Sequence, residues 1–371
     1  MILQISQIDR TAEINIEPVT QLCGQNIVWK NQILRIIKKY FSGEKYADYE
    51  EKNRGIIRLD GEEIGRKYFR LIKYADRASM IETIKIGKTN LLTQCIRYFL
   101  NDFDCQQQMS YIDENLTKIY LMLNKMLERN IVNLQLDYQY SDLWDIVQKS
   151  EVYLSDSRHI EEASDFELVN LCIDIIKQLL EINPEKTMIL WENIDHLLTT
   201  EEYEYVVKAC EDITKKYDIY FIFTTSLQQY VYVTESTIEG IHVYNAENFI
   251  FPEIEKVQNF VNNHYPYYKE WSKEELYKVI KNNVHKIGMK GYLEEDKNIV
   301  VLKLINDTFI EKEVKKEPVS SPSTGRVQRM VPELATLSYT VTGNRQYQQD
   351  AVYVSKGKKL AANKKTRVLA V

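Results

Sequence analysis

The sequence predicts an α/β fold with a largely parallel sheet core, a large α-helical insertion and a small C-terminal appendage. Short apolar, β-branched segments alternate with helical patterns in residues 1–60 and again in residues 184–252. Between them, residues 61–183 carry apolar side chains almost only at helical spacing. Gly and Pro are scarce, at 12 and 7 residues, which favours long helices over many tight turns.

The first core element is predicted to be a strand that leads through a Gly turn into a helix. An apolar run from Ile14 to Leu22, interrupted by Pro18, predicts the strand. After residues 24–31, apolar side chains recur at helical spacing as far as Tyr40. A strand, a turn and a helix in this order form the context in which a phosphate-binding motif is meaningful.

Residues 24–31, Gly-Gln-Asn-Ile-Val-Trp-Lys-Asn, look like a phosphate loop that has lost its chemistry. A working loop has Gly, four residues, then Gly-Lys-Ser/Thr, whose backbone N–H groups, ammonium and hydroxyl hold phosphate and magnesium. Gly24 and Lys30 keep this spacing, whereas Trp29 replaces the second Gly and Asn31 replaces the hydroxyl. We expect Trp29 to fill the phosphate space, leaving a degenerate P-loop NTPase-like core without hydrolysis. An ordinary strand-to-helix turn is the alternative interpretation.

The insertion at 61–183 is predicted to be a helical head. Its amphipathic segments lie near 62–77, 79–102, 109–130 and 164–182. Pro184 ends this part of the chain.

A second core block spans residues 184–252. The apolar run Thr187–Trp191 is followed by Glu192, which occupies the place of the acidic residue that organises magnesium on the strand beside a phosphate loop. A solvated strand end is the alternative for Glu192. Further elements are predicted as a helix near 200–216 and strands at 220–226, 241–244 and 249–251.

The C-terminal appendage is predicted to span residues 253–310. Two helical patterns, at 254–264 and 272–286, precede a strand-like run over 298–304. We expect these elements to pack on the core.

Composition restricts the class of function. The five Cys are scattered without metal-ligand spacing, which predicts reduced thiols in a cytoplasmic protein. The sequence contains no apolar run long enough to cross a bilayer, and the N-terminus shows no secretion signal, so no membrane partner is expected. The net charge is −6; residues 311–371 carry 12 Lys and Arg against 5 Asp and Glu, a net +7, which leaves −13 for residues 1–310. Nucleic-acid binding by this acidic body requires a local basic surface.

Two groups of basic residues are candidates for such a surface. One group lies in the predicted helix over 62–77 and consists of Arg66, Lys67, Arg70, Lys73 and Arg77. Helical spacing places four of these five residues on one face. The other group, Lys38 and Lys39, lies at the end of the helix after the loop. A basic face can hold backbone phosphates without reading bases. The alternative is a solvated helix face with favourable helix-end charges.

Taken together, residues 1–310 resemble the Csn-two family in its long form, accessory proteins of type II-A CRISPR systems that serve spacer acquisition. The resemblance is one of layout more than of a catalytic signature. It is carried by CGQNIVWKN at 23–31, the helical insertion, MILWENIDHL at 188–197, YFIFTTS at 220–226 and the appendage.

The resemblance implies properties that composition does not show. Family members form ring-shaped homotetramers that bind linear double-stranded DNA from its free ends, without sequence preference. They work with the CRISPR integrase complex and the RNA-guided effector nuclease, and shorter members bind calcium. Calcium ligands cannot be assigned by residue here, and no bound nucleotide is expected. Two alternatives stay open: a divergent ATPase or GTPase using Lys30 and Glu192, and a scaffold that binds only proteins.

Residues 311–371 depart from that family. A Ser- and Pro-rich linker leads to residues 330–371, which weakly resemble the opening of a PPM-type metal-dependent protein phosphatase. Arg345 and Asp350 match the phosphate-contacting Arg and a metal-binding acid, whereas Gln349 replaces the first acid. Since the later carboxylates of that family are missing, we expect this tail to be inactive and poorly ordered. A boundary shared with a neighbouring gene, starting at Met330, would explain the tail.

Overall fold

The computed structural model describes residues 1–7, 10–43, 56–131, 134–140, 142–266, 269–289, 300–301, 304–305, 340–342 and 348–350. The chain divides into two units, Met1–Lys312 and Glu313–Val371. Within the described residues, no helix is both long and apolar enough to cross a membrane.

A small antiparallel sheet forms near the N-terminus of the first unit. Its strands are β1 (Ile2–Gln7), β2 (Arg10–Asn15), β4 (Ile56–Leu59) and β5 (Glu62–Glu63), in the order β2-β1-β4-β5. The predicted strand from Ile14 to Leu22 is therefore split, because β2 ends at Asn15 and a new strand begins after Pro18. The apolar residues of Ile56–Leu59 predict a short strand, which is confirmed as β4, but its membership of a separate sheet was not predicted.

A six-stranded sheet forms the centre of the first unit. Its strands are β3 (Val19–Cys23), β6 (Arg70–Tyr74), β7 (Thr187–Trp191), β8 (Ile219–Thr224), β9 (Ile241–Tyr244) and β10 (Asn248–Ile250). They lie in the order β10-β9-β3-β8-β7-β6, and every neighbouring pair is parallel except β10 with β9. Strands β3, β7 and β9 are buried throughout, as expected for a parallel sheet that is covered on both faces. The predicted α/β core with a largely parallel sheet is confirmed.

The helices of the first unit have the following bounds: α1 (Ile27–Phe41), α2 (Arg77–Ile84), α3 (Leu91–Phe99), α4 (Phe103–Asn130), α5 (Leu143–Val147), α6 (Asp165–Ile182), α7 (Thr200–Thr214), α8 (Ile254–His264) and α9 (Lys273–Asn283). Capping boxes fix the starts of α6, α7 and α9, where Ser164, Thr199 and Ser272 each pair with a Glu three residues later. The two helices predicted in the appendage are confirmed as α8 and α9.

The six-stranded sheet is covered by apolar cores on both faces. Helices α2, α6 and α7 cover one face, where Leu168, Val206 and Phe221 are fully buried. Helix α1 and the small sheet cover the other, around Leu22 and Ile222. A third core joins β9 and β10 to α8 and α9, so the appendage packs on the main body as expected.

The predicted helix over 62–77 is wrong. Residues 62–63 form β5, and Arg70–Tyr74 form β6, which pairs with β7 along the edge of the main sheet. Ile72 and Tyr74 are buried and the intervening Lys73 is exposed, which is the alternation of a strand. Basic residues three and four apart therefore gave a helical pattern only by coincidence. Residues 61–183 thus contribute a strand to the core sheet.

The strand-like run predicted at 298–304 is also wrong where the structure describes it. Residues 300, 301, 304 and 305 are helical. Val301 and Ile305, four residues apart, are both buried in the core of the appendage, which is the spacing of a helix face.

The second unit is described only at a short antiparallel hairpin. Strand β11 (Thr340–Thr342) pairs with β12 (Gln348–Asp350). Gln349 and Asp350 lie in β12, whereas the predicted linker and Arg345 lie outside the described residues.

Candidate functional site

The turn between β3 and α1 is short and tightly enclosed. Gly24 has a φ of +98°, and a Cβ atom there would lie 2.4 Å from the carbonyl oxygen of Tyr244. Both facts require glycine at this position. Helix α1 begins at Ile27, so the turn consists only of residues 24–26, and Lys30 already lies within the helix.

The N–H groups of this turn bond to oxygens of the protein itself. Gln25 donates to Oδ1 of Asn245 at 2.7 Å, and Asn26 donates to the carbonyl of Tyr244 at 2.9 Å. The side chain of Asn26 caps α1 by accepting from the N–H of Trp29 at 3.1 Å. These are the groups that would surround a phosphate at a helix N-terminus. We call residues 24–30 with these contacts the closed loop.

The ammonium of Lys30 is held inside the protein. Lys30 is 2% exposed, and its Nζ donates to the carbonyls of Gly24 at 2.7 Å and Thr225 at 2.5 Å and to the hydroxyl of Ser226 at 2.8 Å. Burial lowers the pKa of Lys30, while the nearby Asp195 carboxylate favours its charged form. Its three donors all have protein acceptors, so Lys30 stabilises the ends of β3 and β8.

Asp195 lies at the same edge of the sheet, after β7, which neighbours β8. It lies in the short 3-10 turn after β7, is 3% exposed, and accepts at Oδ2 from the N–H groups of Ser226 at 2.6 Å and Leu227 at 2.8 Å. Sequence reasoning did not select Asp195 as a site residue. The available signal was a carboxylate within the apolar run from Ile194 to Leu198.

Glu192 follows β7 directly, as predicted, but β7 does not lie beside the loop strand. Strand β8 lies between β3 and β7, so the predicted neighbour relation is wrong. The Glu192 carboxylate accepts from Nζ of Lys38 at 2.8 and 2.9 Å, in a pair whose side chains are 11% and 29% exposed. Lys30 and Glu192 therefore bind different partners.

Trp29 and Asn31 both lie in α1 and differ in their burial. Trp29 is half-buried and packs against the core between α1 and the small sheet. Asn31 is exposed on α1.

The basic residues expected on one helix face are distributed over several elements, so their predicted common face is wrong. Arg70 binds Gln94 at 2.7 Å and Glu185 at 3.5 Å, and Arg77 binds Asp165 at 2.5 Å. Lys67 and Lys73 are exposed.

Arg66 nevertheless joins the two predicted basic groups. Its Nε donates to the carbonyl of Tyr40 at 3.0 Å, and its Nη2 donates to that of Lys39 at 3.2 Å. These bonds cap the C-terminus of α1 with a cation, which is favourable for the helix dipole. They also bring the Arg66 side chain to the last turn of α1, which carries Lys38 and Lys39.

Acidic residues that lie side by side in the sequence, a pattern that calcium sites often use, have other partners here. Asp113 accepts from the Tyr138 hydroxyl, Glu114 pairs with Lys118, and Glu161 pairs with Lys85. Glu202 accepts from Thr199 in the α7 capping box. Over the described part of the chain, no group of three or more His, Cys, Asp or Glu could hold a metal ion. These residues do not match the six to eight oxygens that calcium needs.

Helix α4 presents an uncovered apolar stripe. Met109 is its only buried residue in 28. Ile112, Ile119, Met122 and Met126 are between 43% and 61% exposed. Their spacing of seven, three and four residues places them on one side of the helix. We call these four residues the α4 stripe.

Together, the fold and the closed loop define an α/β protein. The polar groups of its turn are satisfied by side-chain and backbone oxygens of the same chain, and its helical head leaves apolar surface exposed. The family model for the CRISPR-associated protein Csn2, subfamily St, matches residues 5–311. The chain belongs to this family, which confirms the resemblance proposed from the sequence. Membership supports a role in CRISPR adaptation as an accessory protein.

Solved structures support the fold assignment. The crystal structure of Stu0660 of Streptococcus thermophilus has a TM-score of 0.74 and 20% identity, covering 87% of this chain and 97% of that one. At this identity the likeness shows a shared fold.

Two lower-scoring structures are an SMC head bound to the C-terminal winged-helix domain of ScpA, and a nucleotide-free ATP-binding cassette from an ABC transporter. The SMC head has a TM-score of 0.35 and 11% identity, covering 68% of this chain and 94% of that one. The cassette has a TM-score of 0.34 and 14% identity, covering 70% and 94%. These scores support no inference. No curated protein sequence matches the chain.

Proposed function

We propose that this protein is a non-enzymatic binder of linear double-stranded DNA ends, acting as a homotetrameric ring in CRISPR spacer acquisition. The observation that carries the proposal is a basic surface gathered at the C-terminus of α1. We call it the α1-end cluster, formed by Lys38, Lys39, Arg66, Lys67 and Lys73.

The α1-end cluster is connected by direct contacts. Arg66 binds the last carbonyls of α1, and Lys38 binds Glu192. The N–H of Glu192 in turn donates to the carbonyl of Tyr74 at 2.8 Å, which places β6 and Lys73 alongside. Of the five cations, Lys38 pairs with the Glu192 carboxylate, whereas Lys67 and Lys73 are exposed. Lys and Arg arranged in this way contact backbone phosphates without distinguishing bases.

The α4 stripe supports assembly of several copies. A helix of 28 residues extends about 42 Å, and an apolar stripe repeating near every 3.5 residues packs against another helix. Residues 134–140 lie along a different side of α4, where Asn124 binds the backbone of Leu136 and Asp113 binds Tyr138. The described residues leave the stripe exposed, and in the proposed ring a second copy of the chain covers it.

The closed loop supports the non-enzymatic part of the proposal. A nucleotide would have to displace three hydrogen bonds of Lys30 and those of the loop N–H groups. Buried polar groups that are already paired gain little by exchanging partners. The CRISPR integrase complex and the RNA-guided nuclease are proposed as partners from the family alone.

A gel-shift comparison of linear and closed circular duplex tests the proposal. We expect retention of linear DNA only, with affinity that falls steeply as salt rises. The double variant Lys67→Glu and Lys73→Glu should weaken binding by about tenfold or more. The slope of log affinity against log salt concentration should become less steep by about two, as expected for the loss of two phosphate contacts.

The matched control is Lys208→Glu with Lys278→Glu, which makes the same charge change at exposed positions of α7 and α9. It should bind linear DNA nearly as well as the unchanged protein. Equal retention of circular and linear duplex, or equal losses in both double variants, would contradict the proposal.

A further inference from the structure

Asn245 connects the closed loop to the C-terminal appendage. It follows β9, is 4% exposed, and accepts at Oδ1 from the N–H of Gln25 at 2.7 Å. Its Nδ2 donates to the carbonyls of His285 at 3.0 Å and Ile287 at 2.5 Å. One side-chain amide therefore binds the loop on one side and the appendage on the other.

The appendage reaches Asn245 through a compact segment after α9. Val284–Lys286 form a 3-10 turn, and Ile287 is fully buried in the core shared by β9, α8 and α9. Gly288 has a φ of +76°, and its carbonyl accepts from the N–H of Glu247 at 3.1 Å. A Cβ atom at Gly288 would lie 2.5 Å from the carbonyl oxygen of Glu247. This close backbone contact fixes where the two acceptor carbonyls lie.

We propose that Asn245 and residues 284–288 form an internal latch that keeps the loop at 24–26 closed. In a loop that binds phosphate, ligand oxygens satisfy the N–H groups at the helix N-terminus. Here Oδ1 of Asn245 satisfies Gln25, and the backbone carbonyl of Asn245 also accepts from Nδ2 of Asn26 at 3.3 Å. The appendage thereby holds in place the group that replaces a ligand. This inference goes beyond DNA binding, because it concerns how the fold keeps its turn closed.

The latch predicts cooperative behaviour of segments far apart in the sequence. If the carbonyls of His285 and Ile287 no longer orient Asn245, its oxygen loses its position against Gln25. A buried donor left without an acceptor is costly, so the loop should open more often. The backbone amides of the loop and of the appendage should then lose protection from hydrogen exchange together.

Hydrogen exchange of backbone amides tests the latch in the full chain. The variant Asn245→Asp keeps the side-chain volume and the acceptor for Gln25. It replaces the Nδ2 donor with an oxygen, which repels the carbonyl oxygens of His285 and Ile287. We expect exchange at Gln25, Asn26 and Glu247 to accelerate at least about tenfold, which corresponds to the loss of one coupled contact.

The matched control is Asn262→Asp, which makes the same substitution within the appendage. The Asn262 side chain accepts from the N–H of Trp271 at 2.7 Å and makes no contact with the loop in the described residues. It should accelerate exchange at Trp271 and leave Gln25 and Asn26 protected.

A second variant decides the matter if Asn245→Asp does not fold. Gly288→Ala shifts the appendage side of the latch without changing Asn245, and it should accelerate the same loop amides. Unchanged exchange at Gln25 and Asn26 in the folded latch variants, or equal acceleration in Asn262→Asp, would overturn the latch. Because DNA is absent from these measurements, that result would leave the DNA-binding proposal standing.

Discussion

The closed loop and helix α4 differ in whether their side chains and N–H groups find partners within the chain. In the closed loop, Lys30 and the N–H groups of Gln25, Asn26 and Trp29 all have partners within the chain. Along α4, Ile112, Ile119, Met122 and Met126 remain exposed. The polar groups of the loop are therefore satisfied within the chain, whereas the head has apolar surface that the described residues do not bury.

This difference indicates where function resides. Apolar surface left exposed in a contiguous stripe marks an interaction site, whereas a polar site with every group paired marks a structural one. Under the proposed function, the carboxyl edge of the main sheet serves stability, and the head and the α1-end cluster serve interaction. Substitutions in both kinds of site test that separation.

The largest effect is expected when charge enters the α4 stripe. The double variant Ile119→Glu and Met122→Glu should abolish assembly while leaving the monomer folded, because both side chains are exposed before assembly. Light scattering after size-exclusion chromatography measures the mass, and circular dichroism checks the fold. The control Leu121→Glu changes a residue that is 57% exposed on the opposite side of α4 and should keep the assembly. An intact tetramer in the double variant would contradict this assignment of the stripe.

The next largest effect is expected at Lys30. The variant Lys30→Met keeps the aliphatic chain but leaves the carbonyls of Gly24 and Thr225 and the carboxylate of Asp195 without their cation. We expect a loss of about 3–5 kcal/mol in the free energy of unfolding, measured by urea denaturation. Lys208→Met, at an exposed position of α7, is the control and should change stability by less than about 0.5 kcal/mol. Equal stability of the two variants would show that Lys30 is not structural.

A smaller effect is expected from the buried His242 on β9. Burial lowers the pKa of His242 from 6.5 to about 4, and its Nε2 lies 3.0 Å from the carbonyl oxygen of Asn15. The unfolded chain takes up a proton below pH 6.5 that the folded chain takes up only near pH 4. Stability from this group is therefore complete above pH 6.5 and falls as the pH falls towards 4, by at most about 3 kcal/mol.

Urea unfolding at pH 7 and pH 4.5 measures this dependence. In the variant His242→Gln, the loss of stability between the two pH values should be smaller by about 2–3 kcal/mol. The same loss in both proteins would mean that other groups cause the acid sensitivity.

The smallest effect is expected from restoring the missing motif residues. The double variant Trp29→Gly and Asn31→Ser recreates Gly-Lys-Ser in sequence, yet we expect no gain of ATP binding or hydrolysis. The reason is that Asn245 and Tyr244 still satisfy the loop N–H groups and Lys30 still points inward. Isothermal titration calorimetry with ATP and magnesium, together with phosphate release, measures the outcome. Saturable, magnesium-dependent binding would mean that the two residues alone inactivate the loop.

Several features of the fold were predictable because their causes are local. Apolar β-branched runs gave β7, β8 and β9, and apolar side chains at helical spacing gave α6, α7 and α9. The small N-terminal sheet was missed because its edge strands are short and polar, as β5 illustrates with Glu62–Glu63. The helix predicted over 62–77 failed because β6 owes its conformation to pairing with β7, more than 100 residues later in the chain.

The alternation of strands and helices, the family, and the presence of Trp29 and Asn31 where a phosphate loop has Gly and Ser or Thr can all be read from the sequence. Only the tertiary structure decided what replaces a ligand there, because the acceptor for Gln25 is Asn245, 220 residues away. It also decided that Glu192 binds Lys38 rather than facing Lys30, since β8 separates the two strands. Local propensities act within a few residues, whereas the partners of buried polar groups depend on sheet order and on how distant segments pack.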